Sequence, residues 1–377
     1  MKIKVKSAVS KLLVLVLSGF LFMAGTLPEN EYKRDTDYII IYPSYGFFDE
    51  GEWVIPLRIY SYEYRERAER LFTGLVNFRR DLEDEQNEIF QRRIRYFVAD
   101  SESGEEIKFV FDDDPDATVF QVLSSDGNYQ TTNLNGEIEG EIRLTSGFVE
   151  MIKKNNPSDD DWLQLSVVSD GHAGGGKVKF VEPEGLSVIS DIDDTIKITQ
   201  IPAGSRIVVR NTFYKEYSAA PRMADLYRTW ENASFHYVSG SPWQLYPALS
   251  EFMFDESVGF PEGTFHLKSV TKNLLSRSTW SDLREVTMND DVTYDQKIRQ
   301  ITQIFEHFPQ RDFIMVGDSG ERDPEVFRVI RENFPDQVQE IIIRDVVNAR
   351  QLEPDRLEGM KVIPAPTIFR RDEISVD

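Results

Sequence analysis

From residue 183 to about residue 343, short apolar runs alternate with segments of helical pattern, and this alternation limits the possible folds more than any other feature. Residues 186–190, 235–238, 264–268, 313–316 and 338–343 read as strands. Residues 221–230, 242–254, 295–307 and 324–333 read as helices between them, with Ser241 as N-cap and Pro242 as first residue of the second. That order predicts a parallel sheet with helices on both faces. Ligands in such sheets bind at the carboxyl ends of the strands, so chemistry is sought there.

Residues 37–182 read differently. The runs 53–60, 107–111 and 162–168 are short, β-rich and bounded by turn signals, and 137–144 alternates charged with apolar residues, the period of a half-buried strand. A charge-rich stretch, 63–93, carries Leu71, Phe72, Leu75 and Val76 at helical spacing and reads as a helical insertion. The expectation is a smaller β-sandwich-like domain with that insertion, followed by an α/β domain over 183–350 and a C-terminal tail over 351–377. Two aspartate clusters, 112–116 and 159–161, lack the spaced ligands of a calcium loop and read as solvated turns. Gly174, Gly175 and Gly176 read as a flexible turn, since no strand-then-helix context with a Gly-Lys-Ser/Thr ending follows.

Composition removes several chemistries. The 377 residues include no cysteine, which excludes disulfides, thiolate metal sites and a cysteine nucleophile. The four histidines, His172, His236, His266 and His307, are too scattered to suggest a metal cage or a hydrolase triad. With 65 Asp+Glu against 43 Lys+Arg, the net charge of -22 argues against a nucleic-acid binder. What remains is chemistry by carboxylates, hydroxyls and a few lysines, served best by a hard cation such as Mg²⁺.

The polar residues cluster where the α/β rule directs attention. Asp191 follows the first strand, with Asp193 and Thr195 two and four residues later; residues at i and i+2 of an extended segment share a side, so both carboxylates can converge. One carboxylate of such a pair can attack while the other carries a proton, and a bound cation relieves their repulsion. Ser239 ends the second strand beside a helix start, a place suited to an anion. Lys297 lies in the helix before the fourth strand, and that strand ends in the acidic loop 317–323, which holds Asp318 and Asp323. The order of acid pair, hydroxyl, lysine and acidic loop gives weight that none of these residues has alone.

The segments 188–197, 237–243, 265–268, 316–325 and 343–346 resemble the haloacid dehalogenase superfamily and, more narrowly, the catalytic domain of actin-patch-type phosphatidate phosphatases. The similarity covers about 183–347. The β-rich half looks like the domain that often precedes it in bacterial members, from which the helical insertion departs. The resemblance implies a Rossmann-like catalytic domain and hydrolysis of a phosphate monoester, phosphatidate foremost, through an aspartyl-phosphate. Asp191 would be the nucleophile and Asp193 the general acid and base. Asp191, the Asp193 backbone carbonyl and Asp318 would hold Mg²⁺, with Asp323 and Thr195 supporting, while Ser239 and Lys297 would bind the phosphoryl oxygens. Two alternatives stay open: a phosphatase of soluble phosphomonoesters or phosphoproteins, and a non-catalytic exported binding protein.

Residues 1–27 carry Lys2, Lys4, Lys6 and Lys11 before an apolar run, the order of a secretory signal peptide or an uncleaved anchor. Export to a periplasmic or extracellular site follows as an expectation. Peripheral membrane contact would rest on that segment or on Phe213, Tyr214, Tyr217 and Trp243.

Overall fold

The computed structural model of the chain describes residues 37–63, 83–158, 161–270 and 290–368. Residues 1–27, read above as a signal peptide or anchor, Asp159, Asp160 and the apolar residues Leu71, Phe72, Leu75 and Val76 lie outside the described residues.

The N-terminal half contains β1 (Asp37–Ile41), β2 (Ser44–Asp49), β3 (Glu52–Glu63), α1 (Asp84–Val98), β4 (Phe109–Phe111), β5 (Glu137–Thr145), α2 (Ser146–Asn155), β6 (Trp162–Val167) and β7 (His172–Phe180). Its strands form one hydrogen-bonded sheet. β3 pairs antiparallel with β1, β2 and β5, while β7 pairs parallel with β1 and β2 and antiparallel with β6. The edges β4 and β5 approach each other through bridges of Phe120 to Phe109 and Leu123 to Glu141. The expected sandwich of two sheets is corrected: among the described residues these strands form a single sheet curled around Ile39, Ile41, Ile55, Leu57, Ile59, Phe109 and Leu165. A helix, α1, overlaps the end of the stretch read as a helical insertion and runs past Arg93 to Val98.

The three glycines at 174–176 are not a turn. They lie inside β7, where an added Cβ would stand 1.9 Å from the Ile39 carbonyl oxygen at Gly174, 2.1 Å from that of Leu165 at Gly175 and 2.0 Å from that of Ile41 at Gly176. Neighbouring backbones approach β7 so closely that only glycine fits.

The second half adds β8 (Glu184–Ser190), α3 (Ser205–Phe213), α4 (Met223–Arg228), β9 (Ser234–Pro242), α5 (Tyr246–Phe254), β10 (Gly263–Lys268), α6 (Asp290–His307), β11 (Gln310–Asp318), α7 (Asp323–Asn333), β12 (Val338–Asp345), the short helix α8 (Ala349–Leu352) and β13 (Lys361–Pro364). All neighbours are parallel, in the order β10-β9-β8-β11-β12-β13. Alternate residues enter opposite cores: Val188, Ile314, Val316 and Ile342 face one cluster with α3, α4 and α5, while Ile189, Met315, Ile341 and Ile343 face another with α6 and α7. Burial on both faces explains the unbroken apolar runs of these strands.

Two sequence expectations are corrected. Ser241 does not cap a helix: β9 continues to Pro242, a 3-10 turn covers Trp243–Leu245, and α5 starts after Leu245 without a side-chain cap. Residues 351–377 are not wholly a tail, since β13 adds the sixth strand.

The two halves share an interface built by β1, β2 and β3. Tyr38, Tyr42, Tyr60 and Tyr62 turn from the N-terminal core into the cluster of Tyr237, Trp243 and Tyr246. The Tyr42 hydroxyl donates to the Trp243 carbonyl (3.4 Å), and their rings lie 4.4 Å apart. Arg93 of α1 donates to the carbonyls of Thr212 (2.8 Å) and Lys215 (2.5 Å). Aromatic pairs of this kind add about 0.5–1.5 kcal/mol each beyond the burial of their area.

Candidate active site

The loop after β8 is shaped by its own polar groups. The Asp191 N–H donates to the Val316 carbonyl (2.9 Å), so the chain still follows β11 as it leaves the sheet. Asp194 then takes a left-handed φ of 56°, and its carboxylate accepts from the N–H groups of Thr199 (2.9 Å), Gln200 (2.7 Å) and Ile201 (2.6 Å). A short side chain that bonds the backbone a few residues on tolerates this conformation well. Arg344, near the end of β12, donates to the Asp194 carbonyl (2.6 Å) and anchors the same turn.

Asp191 meets residues from two other elements. Lys297 of α6 donates to Asp191 Oδ1 (2.8 Å) and Asp323 Oδ1 (2.6 Å), and lies 3.6 Å from Glu321. In the loop after β11, the N–H groups of Gly320 (2.6 Å) and Glu321 (3.3 Å) donate to Asp318 Oδ1, and the Asp318 N–H donates to Asp323 Oδ2 (3.2 Å). Arg356, within the stretch expected to be tail, donates to the carbonyls of Ser319 (2.5 Å) and Glu321 and holds this loop from outside. Asp191 Oδ2 and Asp318 Oδ2 are both buried and accept no hydrogen bond. Carboxylate oxygens of Asp191, Asp318 and Glu321 lie within 4.8 Å of one another. Buried carboxylate oxygens without partners are costly, and an all-oxygen set suits a hard divalent cation such as Mg²⁺.

Asp193 sits in a second set of contacts. Its Oδ1 accepts from Lys197 Nζ (2.6 Å) and Thr199 Oγ1 (2.5 Å), and its Oδ2 from Ser239 (3.2 Å) and Ser241 (2.8 Å). Lys197 is itself buried, with Nζ also donating to Thr199 Oγ1 (2.7 Å) and lying 4.7 Å from the Tyr217 ring centroid.

These surroundings drive the two aspartates apart. Burial pushes Asp191 well above the usual carboxylate range, against the pull of Lys297, with Asp323 and Glu321 raising it further. Burial also acts upward on Asp193, but Lys197 and the hydrogen bonds of Lys197, Thr199 and Ser241 outweigh it and bring the group down to about 2. Asp318 is pushed well up by burial and then by Asp323 and Glu321. Glu321 rises to about 7 through burial, against Lys297 and with Asp323. Burial works against the charge on Lys297, yet Asp191, Asp323 and Glu321 hold its pKa well above the ordinary value. The two neighbouring carboxyl groups are thus pushed in opposite directions, Asp191 toward the neutral and Asp193 toward the ionised form; a divalent cation beside Asp191 would favour its ionised form.

All seven residues expected from the sequence lie around this site. Asp191, Lys297 and Asp323 share one ion network, beside Asp318, while Ser239 contacts Asp193. Thr195 is buried with its hydroxyl unpartnered. The sequence reading missed Glu321, Lys197, Thr199 and Ser241. Glu321 stands inside the acidic loop already singled out, whereas Lys197 and Thr199 have no signal beyond proximity to Asp193.

Other expectations fall away from any site. Asp114 is buried and accepts from the N–H groups of Asp116 (3.0 Å) and Thr118 (2.7 Å), as a turn residue does. Phe213, Tyr214 and Trp243 are buried in the core and are unavailable to a membrane surface. Among the described residues no helix is long and apolar enough to cross a membrane.

Comparison with known proteins bears on the same stretch. Residues 186–345 match the family described as phosphatidate phosphatase APP1, catalytic domain. The Saccharomyces cerevisiae phosphatidate phosphatase APP1 is 32% identical over 184 residues, 48% of this chain and 29% of that protein. An uncharacterised protein of Schizosaccharomyces pombe is 25% identical over 242 residues, 60% of this chain and 38% of that protein. The chain thus spans less than two fifths of the length of these curated relatives. A solved carbohydrate esterase covers 81% of this chain and 87% of its own at 10% identity, but its TM-score of 0.20 carries no argument about fold. The resemblance to the actin-patch-type phosphatidate phosphatase family holds over 186–345.

Proposed function

We propose that the chain is a divalent-metal-dependent phosphatase that hydrolyses a phosphate monoester through an aspartyl-phosphate on Asp191, with phosphatidate as the favoured substrate. The observation that carries the chemistry is the pair of buried, unpartnered oxygens, Asp191 Oδ2 and Asp318 Oδ2, beside Glu321 and opposite Lys297. The substrate class rests on the resemblance of residues 186–345.

Asp191, Asp318 and Glu321 would hold the cation, Mg²⁺ on the character of the donors, together with the Asp193 carbonyl as the resemblance implies. When bound, it supplies charge neutralisation of the phosphoryl oxygens and of the crowded carboxylates. An Asp191 oxygen attacks phosphorus, a new P–O bond forms, and the ester P–O bond breaks. Lys297 and Ser239 stabilise the charge on the phosphoryl oxygens, with Ser241 beside them. Asp193 delivers a proton to the departing alkoxide. Lys197 keeps Asp193 ionised at rest, so that proton arrives with the monoanionic ester or from solvent. Asp193, ionised again, then takes a proton from the water that attacks the aspartyl-phosphate, and inorganic phosphate leaves with Asp191 restored.

A substrate panel tests this reading: phosphatidate in mixed micelles against small soluble phosphomonoesters and a phosphopeptide, each with Mg²⁺ and with excess chelator. Turnover of phosphatidate above the soluble esters, lost in chelator, is expected; equal turnover of a soluble ester would move the assignment to that class. Asp191→Asn should abolish phosphate release while far-UV circular dichroism stays unchanged. Full activity in that variant rejects Asp191 as nucleophile, and turnover undiminished in chelator rejects the metal. Export directed by residues 1–27, with membrane approach through that segment, belongs to the same proposal and is checked by fractionating cells that express the full chain.

A further inference from the structure

The N-terminal sheet brings a second group of metal-binding side chains together, away from Asp191 and its partners. Asp37 opens β1 and His172 opens β7, and the parallel register of these strands places the two residues side by side. Glu105, from the connection between α1 and β4, completes the group, with one ligand atom from each residue within 4.8 Å of the others. His172 Nε2 lies 3.4 Å from Glu105 Oε2.

Hydrogen bonds fix the backbones of Glu105 and Asp37 and one oxygen of the Glu105 carboxylate. The Glu105 N–H donates to Thr132 Oγ1 (2.9 Å), and its carbonyl accepts from the Thr132 N–H (3.0 Å), so its backbone is fixed from both sides. The Ser61 hydroxyl donates to Glu105 Oε2 (2.9 Å), an outer contact of the kind that orients a ligating carboxylate. The Asp37 N–H donates to the Gly171 carbonyl (3.0 Å), which ties the start of β1 to the residue before His172.

His172 is the informative member. Its side chain is only 10% exposed, yet neither ring nitrogen has a hydrogen-bond partner. A buried imidazole normally satisfies at least one nitrogen, and the nearest polar groups are the carboxyls of Asp37 and Glu105, which lie within hydrogen-bonding reach of each other. A cation bound by roughly 2.1 Å bonds in tetrahedral geometry sets its ligand atoms roughly 3.4 Å apart, the separation found between His172 and Glu105.

From these observations we propose that Asp37, Glu105 and His172 form a binding site for a divalent transition-metal cation of the zinc class. One imidazole nitrogen and two carboxylates suit a borderline metal such as Zn²⁺ better than Mg²⁺ or Ca²⁺, which favour oxygen alone. The three ligands come from β1, β7 and the Glu105 connection, so a bound cation ties together parts of the sheet that are far apart in sequence. This proposal is independent of the phosphatase reading.

The test uses the full chain carrying Asp191→Asn and Asp318→Asn, so that the other carboxylate cluster does not compete, with Zn²⁺ as probe in equilibrium dialysis followed by metal analysis. One equivalent of Zn²⁺ is expected to be retained. Adding His172→Gln, or separately Glu105→Gln, should weaken retention at least about a hundredfold, since even outer-shell partners of a metal are worth 10–100-fold. Far-UV circular dichroism identifies the folded variants, and Glu105→Gln decides if His172→Gln does not fold. The proposal is overturned if the doubly substituted chain retains no Zn²⁺, or if both added substitutions leave retention unchanged.

Discussion

Two aspartates two residues apart are given opposite properties by their different surroundings. Lys197 and three hydroxyls hold Asp193 ionised, while Asp191 keeps one buried oxygen unpartnered. Lys197→Met removes the main positive neighbour, so the Asp193 carboxyl must rise from about 2. The expected result is a kcat lower by about 10- to 100-fold, within the range that acid–base groups contribute, and a new acid limb in the pH profile of kcat/KM. Breaking a buried pair also costs about 3–5 kcal/mol, so rates are to be compared per folded molecule. An unchanged profile with full activity would remove Lys197 from the machinery. Asp191, Asp193, Ser239, Lys297 and Asp318 were legible because each lies at or just past the end of an apolar strand run, or on the helix before one. Ser241 was misread as a cap because Ser-Pro before an apolar run is also how a helix begins; its hydroxyl reaches Asp193 instead.

At the scale of elements, alternating apolar runs and helical patterns were sufficient to predict the parallel sheet, since strands buried on both faces leave an unmistakable trace. β7 was less legible. Its first half is His-Ala-Gly-Gly-Gly, and glycine carries no apolar signal, although pairing on both sides makes it a central strand. Gly175→Ala tests that account: its Cβ would stand 2.1 Å from the Leu165 carbonyl oxygen, so backbone must move. A loss of about 3 kcal/mol or more in chemical denaturation is expected. Wild-type stability in this variant would mean that β7 does not pack as described. β13 was missed because four residues are too short for a periodic pattern, and the register with β12 is what makes them a strand.

Over the whole molecule, three of the four histidines that looked scattered gather where the halves meet. Tyr45 of β2 hydrogen-bonds His307 Nδ1 (2.9 Å), Phe47 stacks on the same ring at 3.8 Å, and Thr264 Oγ1 contacts both His236 (2.9 Å) and His266 (3.0 Å). Burial, with His307 nearby, lowers His266 from 6.5 to about 3. Because the folded pKa is lowered, this stabilisation is complete above about pH 6.5 and is lost as pH falls toward 3. The loss from His266 alone reaches about 2 kcal/mol at pH 5. Glu321, raised to about 7, acts with the opposite sign. The measurement is therefore a difference: between pH 6.5 and 5, His266→Asn should show a slope of stability against pH shallower by up to about one proton, or 1.4 kcal/mol per pH unit. Identical slopes would refute the neutral buried imidazole.

The sequence by itself determined the class of the second half, the absence of thiol chemistry and the identity of most groups around Asp191, because strand periodicity and loop position are local properties. Only the tertiary structure decided which partners those groups have. Lys197 folds back onto Asp193, Glu321 turns toward Asp191 and Asp318, and Arg356 braces the acidic loop from a stretch that reads as tail. It also decided that Asp37, Glu105 and His172 meet, since strand register and burial bring together residues that no spacing in the chain relates.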